Sequence, residues 1–306
     1  MHATRISLIG TIIAGALWGL SGTAAQALFQ TYNFPAIGLV TIRMLVGGFV
    51  LLIVIRPAIP RRRDHFAQLF IVAVFGIAGS QLTYLVAIQY SNAPTGTLLQ
   101  FLFLPIVAGY EALTGAFRWS PRWSLTLLLA ALGTLLLIGV FTPKGAFQII
   151  ITPIGLSSGI LSAVTAAYYS LSSRRLVREK GPWWLVTWGF IIGGLVSSPF
   201  GAYSISKYST PLAQTSEITV ISLVAFVIIF GTILSFGLYL AGLQRLTATE
   251  TGVAASFEPI TAAIASYMFL GVKLTIVQYV GGALILLAVI LIASKPPSKE
   301  AVLVRT

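Results

Sequence analysis

Ten long apolar stretches fill nearly all of this 306-residue chain, and they restrict its fold more than any other feature. A helix of about 20 apolar residues crosses a hydrocarbon core of about 30 Å, because each residue rises about 1.5 Å. Lipid cannot satisfy bare backbone amides, so stretches of this length must form internally bonded helices. The sequence therefore predicts an all-α polytopic membrane protein with ten transmembrane helices. In chain order, these spans 1–10 cover residues 7–29, 34–55, 67–89, 93–116, 123–141, 152–174, 183–200, 219–242, 249–270 and 275–293.

Composition supports this prediction and excludes several function classes. Hydrophobic residues make up 57% of the chain and charged residues 8%, whereas soluble domains contain about 25% charged residues. A net charge of +12 would favour nucleic-acid binding in a soluble protein. Here the basic residues lie between the spans, so we interpret them as topology signals and expect no nucleic-acid partner. The absence of cysteine excludes disulfides, thiolate catalysis and cysteine-based metal sites, and we expect neither metal nor cofactor.

The distribution of basic residues predicts the orientation of the chain. Placing the N-terminus inside leaves only Lys144, Lys207 and Lys273 outside, with Arg43 within span 2. Such a bias follows the positive-inside rule, so we expect both termini in the cytoplasm and the protein in the plasma (inner) membrane. The first apolar stretch exceeds the usual apolar core of a signal peptide and is interpreted as a retained helix. The cytoplasmic bases are Arg5, Arg56, Arg61, Arg62, Arg63, Arg118, Arg122, Arg174, Arg175, Arg178, Lys180, Arg245, Lys295, Lys299 and Arg305.

Spans 1–5 and spans 6–10 repeat several short patterns in the same order. Because five is odd, the second half must enter the membrane from the opposite side, and inverted repeats are typical of secondary transporters. We therefore predict two inverted five-helix repeats, residues 1–146 and 147–306, the second ending in a short cytoplasmic tail. The alternative is a duplication retained only for packing. The matching pairs are Thr23-Ala24-Ala25 with Thr165-Ala166-Ala167, Gly47-Gly48 with Gly193-Gly194, Tyr84-Leu85 with Tyr239-Leu240, and Pro105-Ile106 with Pro259-Ile260.

Several motifs resemble those of a known family. They are Leu17-Trp18-Gly19-Leu20-Ser21-Gly22, Arg43 within span 2, the Asn92–Gly96 turn, Glu258-Pro259, and Gly281-Gly282-Ala283. Over about residues 7–293 the chain resembles the EamA-type branch of the drug/metabolite transporter superfamily. The resemblance implies an exporter or exchanger of small metabolites, including amino acids. Where that family often has Leu-Gly-Glu at the ends of spans 4 and 9, this chain has Ala116-Phe117-Arg118 and Leu270-Gly271-Val272.

Placing a charged residue within a membrane span costs free energy, so such residues usually face a cavity or a partner. Glu258 lies near the middle of span 9, and Pro259 removes an amide donor beside it. This arrangement suits a proton, a cation or a substrate amine, so Glu258 is a coupling or gating candidate. Alternatively, it caps a loosened helix or pairs with a neighbour. We also predict helix kinks at Pro105 and Pro259.

Two further charged residues have weaker assignments. Arg43 could bind a substrate carboxylate, pair with Glu258 or hold helix carbonyls. The resemblance places the cavity mainly on spans 1, 3, 4, 6, 8 and 9, which favours a structural or gating role for Arg43. Glu111 lies about one turn from the cytoplasmic end of span 4 and is expected to reach the interface or Arg118.

Polar and aromatic side chains at helical spacing predict a semi-polar, aromatic-lined chamber. Taken singly, such residues more often join helices than bind ligands. Glycine pairs at Gly15/Gly19 and Gly155/Gly159 predict closely packed helices. The candidate substrate-binding residues are Trp18, Ser21, Gln81, Tyr84, Thr97, Gln100, Thr165, Tyr168, Ser235 and Tyr239.

Other function classes fit the sequence less well. Gly19-Leu20-Ser21-Gly22 matches the motif of intramembrane serine proteases, but the catalytic serine needs a base, and both histidines, His2 and His65, lie outside the spans. Without a phosphate-binding loop, ATP is not the driving force. A channel is disfavoured because its pore usually requires oligomer symmetry. We therefore predict no enzyme, but an alternating-access carrier driven by the substrate gradient, a coupled proton or an exchanged solute. The family resemblance, together with the semi-polar chamber, implies that its substrates are amino acids or related zwitterions. The alternative is proton-coupled efflux of cationic drugs or polyamines.

Overall fold

The computed structural model describes residues 2–60, 63–114, 121–137, 151–208, 217–246 and 248–293. These ranges contain helices and no strand, which confirms the all-α prediction. Spans 1, 2, 5, 6, 7 and 10 are the helices His2–Gln30, Ala36–Ile55, Pro121–Leu137, Pro153–Lys180, Pro182–Ser206 and Ile276–Ala293. The other four spans are each built from consecutive segments. Span 3 consists of Arg63–Ile71, Val72–Ala78 and Gly79–Gln89, and span 4 of Ala93–Gln100 and Phe103–Leu113. Span 8 consists of Glu217–Ile228, Ile229–Leu234 and Ser235–Arg245, and span 9 of Ala248–Ala254 and Phe257–Leu270.

Eight of the predicted spans are long and apolar enough to cross a membrane in the described part of the chain. Spans 5 and 10 instead carry shorter apolar stretches, Ser124–Gly133 and Ile276–Ala288. The described helix of span 5 has 17 residues and a rise of about 26 Å. This rise still approaches the hydrocarbon thickness of about 30 Å. Spans 5 and 10 also pack against each other, so the two shorter helices form one pair in the bundle.

The packing of the spans has the symmetry expected for two related halves. Span 1 packs against spans 9 and 8, whereas span 6 packs against spans 4 and 3. Span 2 packs against span 7, and span 5 against span 10. If each span is replaced by its counterpart in the other half, the contacts of span 1 become those of span 6. The contact between spans 2 and 7 and the contact between spans 5 and 10 each become themselves. Because each half has five spans, corresponding helices run in opposite directions. The predicted boundary between residues 146 and 147 lies outside the described residues.

The segmented spans occur at equivalent places in the two halves. Spans 3 and 8 each contain a π-helical stretch, Val72–Ala78 and Ile229–Leu234. A π-helical stretch widens the helix locally and often lies at a functional site. These two stretches leave backbone carbonyls outside the regular α-helical hydrogen-bond pattern.

Spans 4 and 9 are interrupted just before the predicted proline kinks. The turns lie at Phe101-Leu102 and Ala255-Ser256, so Pro105 and Pro259 occupy the first turns of the following segments. The missing proline amide costs no helical hydrogen bond in a first turn. The helix interruptions lie three to four residues before each proline, where the proline ring clashes with the carbonyl four residues earlier.

Candidate functional site

A central cavity lies among spans 1, 2, 3, 4, 6, 8 and 9. The volume open to the centres of water-sized molecules is about 50 Å³. One water needs about 10–15 Å³ on this measure, so the cavity has room for a few waters. The predicted site residues that line it are Trp18, Ser21, Arg43, Gln81, Tyr84, Gln100, Tyr239 and Glu258.

Two predicted residues lie behind the cavity wall. The Thr97 side-chain oxygen lies 3.0 Å from the Tyr84 hydroxyl, and Thr97 is fully buried. Thr97 therefore supports a wall residue instead of lining the cavity itself. Ser235 is also fully buried, and its hydroxyl donates to the Phe230 carbonyl in the π-helical stretch of span 8. Its role in the structure is to satisfy a carbonyl of the widened helix.

The sequence predicted the wrong face of span 6 as the one that lines the cavity. Thr165 does not line the cavity; its hydroxyl donates to the Leu161 carbonyl at 2.9 Å. Tyr168 is 36% exposed on the outer surface of the bundle. Successive helical residues differ by about 100° around the axis, so the neighbouring Tyr169 and Ser170 face the cavity instead.

An aromatic cluster forms much of the cavity wall, and sequence reasoning missed half of it. The ring centroid of Trp18 lies 5.2 Å from that of Phe236 and 5.1 Å from that of Tyr239. Tyr169 stacks on Tyr239 at 6.0 Å. Phe236 precedes Tyr239 by three residues, as Gln81 precedes Tyr84 in the equivalent span 3. Comparing span 8 with span 3 in the repeated halves would therefore have identified Phe236 as a candidate cavity residue.

Two polar atoms of this wall have no hydrogen-bond partner among the described residues. They are Nε1 of Trp18 and the hydroxyl of Tyr169, and both atoms are buried. A buried polar group without a partner costs about 1–3 kcal/mol. The Tyr239 hydroxyl, by contrast, lies 2.9 Å from the Ser170 hydroxyl. Two residues that line the cavity, Trp18 and Tyr169, thus each carry a polar atom without a described partner.

Arg43 reaches the cavity from span 2 and is held by the π-helical stretch of span 8. Its Nε donates to Thr232 Oγ1 at 2.8 Å, and Nη2 donates to the Gly231 carbonyl at 3.1 Å. The Thr232 hydroxyl itself donates to the Val227 carbonyl at 2.8 Å, which fixes its orientation. Within the described residues, Arg43 and Glu258 form no ion pair, although both line the cavity.

Glu258 lies in the first turn of the second segment of span 9. The unpaired amides and the dipole of a helix N-terminus stabilise negative charge, so the break at Ala255-Ser256 creates a favourable place for a carboxylate. Glu258 is only 4% exposed, and it interacts with the Tyr84 hydroxyl and electrostatically with Arg43. Within the described ranges, no cluster of three metal-ligating side chains occurs.

Glu111 connects three spans instead of pointing only to the interface. Its Oε2 accepts a 2.6 Å hydrogen bond from Thr249 of span 9. Its Oε1 lies 3.6 Å from a guanidinium nitrogen of Arg174 on span 6. The other expected partner, Arg118, lies outside the described residues. Glu111 therefore ties the end of span 4 to spans 6 and 9.

Comparisons with known proteins agree on the class of protein. The chain matches the EamA-like transporter family over residues 5–139 and 153–294. It is 32% identical to the uncharacterized inner membrane transporter YicL of Salmonella typhimurium, covering 96% of this chain and 97% of that protein. It is 27% identical to the threonine/homoserine exporter RhtA of Escherichia coli, covering 90% and 88%.

A solved crystal structure shares the fold of this chain, with a TM-score of 0.64. It is 18% identical in sequence, and the match covers 96% of this chain and 99% of the other. This likeness extends over the whole bundle and agrees with the ten-helix architecture. The family match covers both halves and places the residues of the central cavity within a transporter. The chain is a multi-pass membrane transporter and belongs to the EamA-like transporter family.

Proposed function

We propose that this transporter exports or exchanges small amino acids or related zwitterions. The central observation is that the cavity contains a buried base and a buried acid that do not pair with each other. A zwitterion can satisfy both charges, because its carboxylate suits Arg43 and its ammonium group suits Glu258. The similarity to an exporter of threonine and homoserine supports the same substrate class.

The donors around Arg43 provide a place for the carboxylate. A guanidinium has five N–H donors, and the contacts with Thr232 and Gly231 use two of them. Trp18 and Tyr169 line the same cavity, and Trp18 Nε1 and the Tyr169 hydroxyl have no described hydrogen-bond partner. A carboxylate bound here would satisfy groups that are otherwise costly to bury.

A cationic drug or polyamine is the second candidate substrate. The clustered rings of Trp18, Tyr169 and Tyr239 could hold a cation through cation–π interactions. However, Arg43 is only 2% exposed and lines the same cavity. Its charge repels a cation and attracts a carboxylate, so the zwitterion is the better match.

Alternating access requires seals on both sides of the cavity, and the described contacts offer one at each end. At one end, Ala93 N donates to Gln26 Oε1 at 2.7 Å, and Gln30 Nε2 donates to the Ser91 carbonyl at 3.0 Å. At the other end lie the contacts of Glu111. Given both termini in the cytoplasm, as the positive-inside rule favours, the Glu111 contacts form the inner seal. We propose that the two seals open alternately, driven by a coupled proton or an exchanged solute.

Tracer counterflow in proteoliposomes tests the substrate assignment. We expect accumulation of small or hydroxyl-bearing amino acids, and a loss of apparent affinity of about tenfold in Trp18→Phe, since a hydrogen bond to a charged group contributes about 1.5–3 kcal/mol. The matched control is Trp188→Phe, whose indole donates to the Ala58 carbonyl outside the cavity. Accumulation of polyamines with no amino-acid signal would instead select the second candidate.

A separate prediction concerns Arg43. Arg43→Lys keeps the charge but loses the planar fork of donors, so we expect KM for amino acids to rise about tenfold. KM for the corresponding decarboxylated amines should not rise. Arg56→Lys, at the exposed end of the same helix, is the control. An equal effect on amino acids and amines would show that Arg43 only supports the bundle.

A further inference from the structure

A second cavity opens between the ends of spans 4 and 6, away from the central site. Its lining includes Arg174, Arg175 and Arg178 on span 6, and Glu111 and Tyr110 on span 4. With the termini inside, this cavity lies at the cytoplasmic boundary of the membrane. We call it the arginine pocket.

The arginines of this pocket are only partly neutralised. Arg175 pairs with Glu179 at 2.8 Å, whereas Glu111 accepts from Thr249 and lies 3.6 Å from Arg174. The Nε atom of Arg174 is buried and has no hydrogen-bond partner within the described part of the chain. No ion pair involves Arg178 within the same ranges. The pocket therefore presents more guanidinium donors than its own carboxylates use.

Guanidinium groups match phosphate in both charge and geometry. Arginine binds phosphate oxygens through paired N–H donors, and basic pockets between transmembrane helices at the cytoplasmic side bind anionic lipid headgroups. The neighbouring surface of span 4 is apolar and exposed, with Leu113 88% and Tyr110 53% exposed. A ligand with both a phosphate and acyl chains fits this combination better than a free phosphate ion does.

We propose that the arginine pocket binds the phosphate headgroup of an anionic phospholipid. The phosphate contacts Arg174 and Arg178, and the acyl chains lie along the exposed side of span 4. Because Arg174 also approaches Glu111, a bound phosphate competes for the contact that ties span 4 to span 6. Lipid binding is therefore linked to the inner seal. The binding itself does not depend on which solute the central cavity carries.

Lipid binding to the purified full chain tests this proposal. Native mass spectrometry in detergent would count phosphatidylglycerol and phosphatidylcholine bound to the protein. We expect a preference for phosphatidylglycerol that falls at least tenfold in Arg174→Gln/Arg178→Gln. The matched control is Arg245→Gln, which removes an exposed basic residue at the end of span 8. Arg178→Gln alone provides a second variant, because it removes no described ion pair, and it should lower the preference in the same direction.

Two outcomes would overturn the proposal. One is equal binding of phosphatidylglycerol by the wild type and by folded Arg178→Gln. The other is a site that inorganic phosphate occupies and that shows no preference between the two lipids, which would identify a soluble phosphate as the ligand. Thermal unfolding of each variant establishes that the binding measurements compare folded proteins.

Discussion

Replacing Glu258 with glutamine is expected to slow substrate exchange at least about tenfold, because a hydrogen bond to a charged group contributes about 1.5–3 kcal/mol and 1.4 kcal/mol is a tenfold effect. The carboxylate is buried at the start of the helix Phe257–Leu270 and lines the central cavity. Glutamine keeps its size but not its charge, so a loss reports the missing charge. Glu217→Gln, at an exposed helix start, should exchange substrate like the wild type.

The same variant separates two roles for the carboxylate. If Glu258 only carries a coupled proton, Glu258→Gln should lose accumulation driven by a pH gradient but keep counterflow between equal pH values. If Glu258 binds the substrate ammonium group, both activities should fall together. We expect both to fall, since no other carboxylate lines the described cavity. Normal transport by the variant across a pH gradient would remove Glu258 from both roles.

The fold could be predicted from the sequence because the bilayer leaves few alternatives. Backbone amides in lipid must bond internally, so long apolar stretches suffice to predict helices. The sequence says less about which spans pack against each other. The repeated Tyr84-Leu85 and Tyr239-Leu240 patterns nevertheless lie in spans that pack at equivalent places in the two halves. The bounds of span 10, predicted at residues 275–293, agree with the helix Ile276–Ala293, whereas the predicted end of span 5 lies outside the described residues.

The site was harder to predict because the lipid-facing sides of these helices and their packed sides are both largely apolar. In a soluble protein, the polar side of a helix shows which residues face solvent, but in lipid that signal is absent. Tyr168 and Tyr169 are therefore indistinguishable by sequence, and only the packing of span 6 against spans 3 and 4 selects Tyr169 for the cavity. The anchoring of Arg43 was equally hidden, because it depends on carbonyls exposed by the π-helical stretch Ile229–Leu234.

The contact between spans 1 and 9 leads to the prediction with the largest effect on stability. A methyl group at Gly19 would collide with the Glu258 carbonyl, the Ala262 amide nitrogen and the Thr261 hydroxyl. Two of these atoms belong to the backbone, so the helices must move apart. Overpacking of this kind typically costs about 1–3 kcal/mol. We expect Gly19→Ala to lower the unfolding temperature in detergent and to reduce the yield of monodisperse protein several-fold.

The matched control uses the same chemical change at an open position. A methyl group at Gly109 would meet no atom within 4 Å, and alanine is favoured over glycine within a helix by about 1 kcal/mol. Gly109→Ala should therefore unfold at the same or a higher temperature than the wild type. Equal stability of Gly19→Ala and Gly109→Ala would show that spans 1 and 9 do not pack closely at Gly19. Since that contact includes the Glu258 carbonyl, a destabilised but folded Gly19→Ala should also exchange substrate more slowly, whereas Gly109→Ala should not.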